Sequence, residues 1–133
     1  MSQPRLRSLL QAVLLLLGIV AIVAGLFTVA TGTSGMPGDS SATPNVESEL
    51  RFYSVFWSAY GVLALLASRD PERRASLVRG LALFLFLGGV ARAFAWAASA
   101  RPDTPLLVLM GLELGLPAFM LWAQARLSRD APR

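Results

Sequence analysis

Four long apolar stretches dominate the sequence and leave few folds open to it. Leu9 to Ala30 is uncharged and broken only by Gln11, Thr28 and glycines. About twenty such residues, at a rise of about 1.5 Å each, cross a hydrocarbon core of about 30 Å. Leu50 to Ala67 repeats the pattern with Arg51 near its start, Leu77 to Ala98 carries Arg92, and Leu106 to Ala125 carries Glu113. The expected fold is all-α: an integral membrane four-helix bundle with antiparallel neighbours, a single domain over residues 1–133 with helices at about 8–30, 44–67, 71–98 and 105–126.

Composition agrees. Hydrophobic residues make up 55% of the 133 and charged residues 15%, against roughly a quarter charged in soluble domains. The absence of cysteine and histidine removes disulfides, thiol chemistry and imidazole catalysis. No cofactor or metal is expected. All twelve basic residues are arginines, giving a net charge of +4. Membrane topology accounts for them without nucleic acid as a partner.

Connections sharpen the boundaries. Thr43-Pro44, Asp70-Pro71 and Thr104-Pro105 each read as an N-cap followed by proline in the first turn. Thr31 to Thr43 is a Gly/Ser/Thr-rich loop, and the other two connections are short, which favours antiparallel packing of consecutive helices. The first stretch follows Arg5 and Arg7, as in a signal peptide, but its apolar run exceeds the roughly 7–15 residues of a cleavable segment and is read as a retained helix.

Arginine is concentrated on one side. Arg5, Arg7, Arg69, Arg73, Arg74, Arg79, Arg126, Arg129 and Arg133 share it; Arg51 and Arg101 on the other are offset by Asp39, Glu47, Glu49 and Asp103. The positive-inside rule then puts both termini in the cytoplasm, and the expected location is a bacterial inner (plasma) membrane, multi-pass.

Topology leaves Arg51, Arg92 and Glu113 unexplained. An ionisable side chain at a helix centre costs at least about 2.5–3.5 kcal/mol on insertion scales, so such groups face the bundle interior and pair. All three fall in the outer half of their helices, and contact of Glu113 with Arg92, Arg51 or both is expected. Gly88 and Gly89 lie one turn before Arg92 and Trp96 one turn after it; Gly111 and Gly115 flank Glu113. Small residues make room beside a polar group. Pro117 offers no N–H to the Glu113 carbonyl, which predicts a kink or a break there. Glu49, Tyr53, Trp57 and Tyr60 form a polar and aromatic stripe at helical spacing, and Glu47 with Arg51 is an i, i+4 pair. The ligand-binding candidates are therefore Arg51, Arg92, Glu113, Glu49, Tyr53, Trp57, Tyr60 and Trp96. Against this stands a purely structural reading, in which an Arg–Glu pair sets helix register and the aromatics belong to an interfacial belt.

The run ESELRFYSVFWSAYG, the arginine of GGVARAF and the segment LELGLP resemble a family of small bacterial membrane proteins, domain-of-unknown-function family 4345. The matching positions are Glu49, Arg51, Phe52, Tyr53, Tyr60, Gly61, Arg92, Glu113 and Pro117. The resemblance covers nearly the whole chain and implies a four-helix membrane fold. It implies no activity.

Three functions compete. The first is a non-enzymatic protein that binds a lipid or amphipathic ligand at the outer Arg/Glu/aromatic cluster, or serves as a partner in a larger membrane complex. The second is an intramembrane enzyme acting on an apolar substrate with Glu113 as acid or base, thinly equipped without histidine, cysteine or a second carboxylate in a span. The third is a transporter or channel, which from so short a chain needs a homodimer. The Gly111/Gly115 pair and the spacing of Gly18, Gly25 and Gly32 allow one, although small seams serve intrachain packing equally well.

Overall fold

The computed structural model describes residues 2–37 and 42–129. Asp39 and Arg133, both counted in the charge distribution, lie outside them. Four helices follow in order: α1 Gln3–Thr31, α2 Pro44–Arg69, α3 Ala75–Ala98 and α4 Thr104–Arg129, with a short 3-10 turn at Gly32–Gly35 after α1. No strand occurs among the described residues. Even the shortest, α3 with 24 residues, is about 36 Å long, and all four are long and apolar enough to cross a membrane. Leu16, Val23, Phe52, Leu83, Phe94 and Val108 are among many large apolar side chains left exposed. Such an exterior suits lipid and would be a liability in water. The chain is a small multi-pass membrane protein.

Proline and threonine begin α2 as expected: Pro44 is in the first turn and the Thr43 side chain accepts from the Val46 N–H at 3.5 Å. The Asp70-Pro71 signal acts differently. Asp70 ends α2 and closes a separate turn, with its carbonyl accepting from Arg74 at 3.1 Å and its carboxylate from the Arg73 N–H at 3.4 Å. Helix α3 therefore starts at Ala75 rather than 71. The proline still fixes the local geometry, but it initiates the turn and not the helix. Helix α4 runs unbroken through Pro117, so of the kink or break expected there, the break does not occur.

Packing is unequal around the bundle. Contacts concentrate within two hairpins, α1 with α2 and α3 with α4, while α2–α3 and α1–α4 touch more sparingly. Glycine explains the difference. A Cβ on Gly61 would fall 2.6 Å from the Gly18 carbonyl oxygen, and one on Gly25 2.7 Å from the Ser54 carbonyl oxygen. These positions bring the backbones of α1 and α2 together, since small residues allow close approach. At Gly89 a Cβ would meet Leu114 at 2.9 Å and the Glu113 Cβ at 3.1 Å, which sets the α3–α4 seam. The α2–α3 seam holds an aromatic ring instead: Tyr60 is buried, stacks on Phe84 at 5.7 Å and donates its hydroxyl to the Leu81 carbonyl at 3.3 Å.

The shared core lies toward the end that carries the start of α1 and the end of α4, here the terminal end. Leu6, Leu10 and Leu14 of α1, Ala64 and Ala67 of α2, Val78 and Leu81 of α3, and Met120 and Ala123 of α4 are buried there. Toward the opposite end, which carries the α1–α2 and α3–α4 connections, burial falls away. Past Gly89 on α3, and before Glu113 on α4, no described residue is buried.

Candidate polar sites at the loop end

The three charges inside the spans divide into two sites. Arg51 belongs to the first hairpin. Its Nη2 and Nε bind Glu47 Oε1 at 2.7 and 3.0 Å, and its Nη1 donates to the Val29 and Ala30 carbonyls at 2.5 and 3.3 Å. The last carbonyls of a helix have no partner within it and form the negative end of its dipole. A guanidinium there satisfies both demands. Glu47 completes the closure by accepting from the Thr33 N–H at 2.9 Å. Gly32 permits the turn between them, at φ 61°, a left-handed value that favours glycine. A Cβ there would also collide with the Glu47 carboxylate.

The other end of the hairpin has a counterpart. Gln11 Nε2 of α1 donates to the Ser68 carbonyl near the end of α2 at 3.0 Å. Each helix thus closes the C-terminal end of the other with one polar side chain. Sequence reasoning noted Gln11 only as an exception in an apolar run. An amide in such a run must find a partner, and that was its available signal.

Arg92 and Glu113 form the second site. Arg92 Nε donates to Glu113 Oε2 at 2.8 Å across α3 and α4; the glutamate side chain is 8% exposed and the arginine 40%. The contact expected between Glu113 and an arginine is present, and Arg92 makes it alone. Arg51, committed to Glu47 and the end of α1, does not join. Gly89 makes the room foreseen for it, while Gly111 and Gly115 do not: a Cβ at either would meet nothing within 4 Å. The Arg92 Nη groups make no hydrogen bond to any described residue. The site is a guanidinium held along one edge by a buried carboxylate, with its two-nitrogen fork free. Such a fork fits two oxygens of a phosphate or carboxylate.

The aromatic stripe is not one surface. Tyr53 is 63% exposed, and Glu49 is exposed beside it. Trp57 is half-buried and stacks on Tyr60 at 5.0 Å, with the planes 10° apart. Trp96 is exposed. Phe84, against Tyr60, precedes Arg92 by eight residues on α3, about 12 Å along the axis. The Trp57–Tyr60–Phe84 stack thus fills the α2–α3 seam at a depth other than that of the ion pair.

One polar group escaped the sequence reading altogether. Gln124 is 2% exposed; its Nε2 donates to the Ser128 hydroxyl at 3.1 Å, and its Oε1 has no partner among the described residues.

The family model described as domain of unknown function, DUF4345, matches residues 9–124, nearly the whole chain. No curated protein and no solved structure matches.

Proposed function

This chain belongs to the DUF4345 family, and we propose that it is a non-enzymatic membrane protein that binds an anionic amphiphile, a lipid or similar molecule, with Arg92 as the anchor for the headgroup. One observation carries the reading: Glu113 engages only the Nε of Arg92 and is itself shut in, while the arginine is partly exposed and its charged fork has no hydrogen bond to a described residue. An arginine in an apolar span must be paired or hydrated. One carboxylate leaves most of its donors for a ligand. The unburied outer stretches of α3 and α4 give an acyl chain access from the side. Arg51 is not part of this site, because its donors already close α1. We place both termini in the cytoplasm of a bacterial plasma membrane, which puts Arg92 in the outer leaflet.

The test is retention of lipid by the purified protein in native mass spectrometry, with phosphatidylglycerol against phosphatidylcholine. The wild type is expected to retain the anionic lipid. The double variant Arg92→Met/Glu113→Met, which leaves no unpaired charge, is expected to lose it by about tenfold or more, the equivalent of one charge-assisted hydrogen bond. Equal retention by wild type and double variant overturns the reading.

A second reading, partnership in a membrane complex or a homodimer, has one observation in its favour. Gly111 and Gly115 lie exposed on α4 with open space beside them, as at helix–helix seams in membranes. Cross-linking between cysteines at Gly111 of two copies would support it.

A further inference from the structure

A groove lies between α3 and α4 on a face that neither Arg92 nor Glu113 lines. Its walls are Leu83 and Phe86 of α3 and Leu114, Pro117 and Leu121 of α4, with Arg79 at one end and a volume of about 320 Å³. That volume is at the small end of ligand pockets. On α4 the groove begins at Leu114, next to Glu113, and continues through Pro117, one turn further on, toward the terminal end. Small side chains make the hollow: Ala82 at its floor and Ala118 at its rim, between the bulk of Phe86 and Leu121.

Arg79 gives the groove a polarity. It stands one turn into α3, between Val78 and Gly80. Its Nε donates to the Ala75 carbonyl at 3.3 Å, and no carboxylate among the described residues lies within ion-pair distance of it. It is exposed, and its Nη fork has no hydrogen bond to a described residue. The groove is thus apolar along its length and positive at the end nearest the membrane surface. Phe86 lies seven residues after Arg79, about 10 Å along the axis.

We propose that this groove holds a phospholipid of the leaflet at the terminal end, its anionic headgroup on the Arg79 fork and one acyl chain lying between α3 and α4. Charge complementarity selects the occupant: two phosphate oxygens match the two free nitrogens, and the walls offer an acyl chain apolar contact along its length. An apolar peptide or a second copy of the chain would leave the guanidinium unpaired. The inference does not rest on the Arg92 reading, since the two sites share no residue: the groove runs from Arg79 toward Leu114 and stops short of the Arg92–Glu113 pair.

The experiment uses the full chain in nanodiscs that contain phosphatidylglycerol with a photoreactive acyl chain, followed by peptide mapping. Label is expected to concentrate on Leu83, Phe86 and the segment Leu114–Leu121. Arg79→Gln should reduce it about tenfold, and Ala118→Trp, which fills the groove from its exposed rim, should abolish it while the melting temperature is kept. Unlabelled phosphatidylglycerol should compete better than phosphatidylcholine. The double variant Arg92→Met/Glu113→Met, which strands no charge, should lose the headgroup site and keep the dependence of the groove label on Arg79, which separates failure here from failure of the proposed headgroup site. Label spread equally over exposed α1 residues such as Leu16 and Val23, or label indifferent to Arg79→Gln, would each overturn the proposal.

Discussion

Arg92 and Glu113 meet through one edge only, Nε to Oε2 at 2.8 Å, with the carboxylate shut inside the α3–α4 seam and the guanidinium open. This asymmetry decides what each substitution does. Loss of the arginine strands a buried charge. Loss of the carboxylate leaves a cation that can still reach water or lipid headgroups.

Arg92→Met should therefore destabilise the protein in detergent more than Glu113→Gln. The first should cost about 2–4 kcal/mol and the second about 1–2, below the full range for a buried pair because Arg92 is partly exposed. In the cycle with Arg92→Met/Glu113→Met, the double variant should lose less than the sum of the single variants, by about 1–2 kcal/mol. Thermal unfolding of the four proteins measures it, and strict additivity would remove the coupling.

The glycines should split into two classes. Gly61→Ala places a methyl group 2.6 Å from a backbone oxygen of α1 and should cost about 1–3 kcal/mol through overpacking. Gly111→Ala and Gly115→Ala meet nothing and should be neutral or stabilising by up to about 1 kcal/mol per site, the helix-propensity gain. Melting temperatures of the three variants check this; a destabilised Gly115→Ala would show that its face is packed after all.

Closure of the α1–α2 hairpin by reciprocal side chains can be tested at each end. Arg51→Met should free the Val29 and Ala30 carbonyls and leave Glu47 with the Thr33 N–H alone, lowering the melting temperature. Gln11→Leu frees only the Ser68 carbonyl and should cost about 1 kcal/mol. Hydrogen exchange should rise near residues 29–35 in the first variant and near 65–70 in the second. A global change in both would count against local closure.

Orientation is open to cysteine labelling, because the chain has no cysteine of its own. Ser99 lies in the α3–α4 connection and Ser128 near the end of α4. With cytoplasmic termini, Ser99→Cys reacts with an impermeant maleimide on intact cells, and Ser128→Cys reacts only after permeabilisation. Labelling of Ser128→Cys from outside reverses the proposed topology.

The local parts of the structure were legible in the sequence. Length and hydropathy act on each segment by itself, so the four spans followed from composition and rise per residue alone. Thr43 and Pro44 set the start of α2 through groups three residues apart, and the Glu47–Arg51 pair is one turn of one helix. The Arg92–Glu113 contact was within reach because two charges at similar depth in apolar helices have few ways to be neutralised. Tertiary structure alone decided that Arg51 would spend its donors on the end of α1, that Gly18, Gly25, Gly61 and Gly89 would be the seams while Gly111 and Gly115 faced outward, and that Gln124 would be buried with one oxygen unpartnered among the described residues. Each of those depends on the rotation of one helix against another. In a helix apolar on every side the sequence carries almost no signal for that rotation, and it is set where backbones approach closely enough for one methyl group to matter.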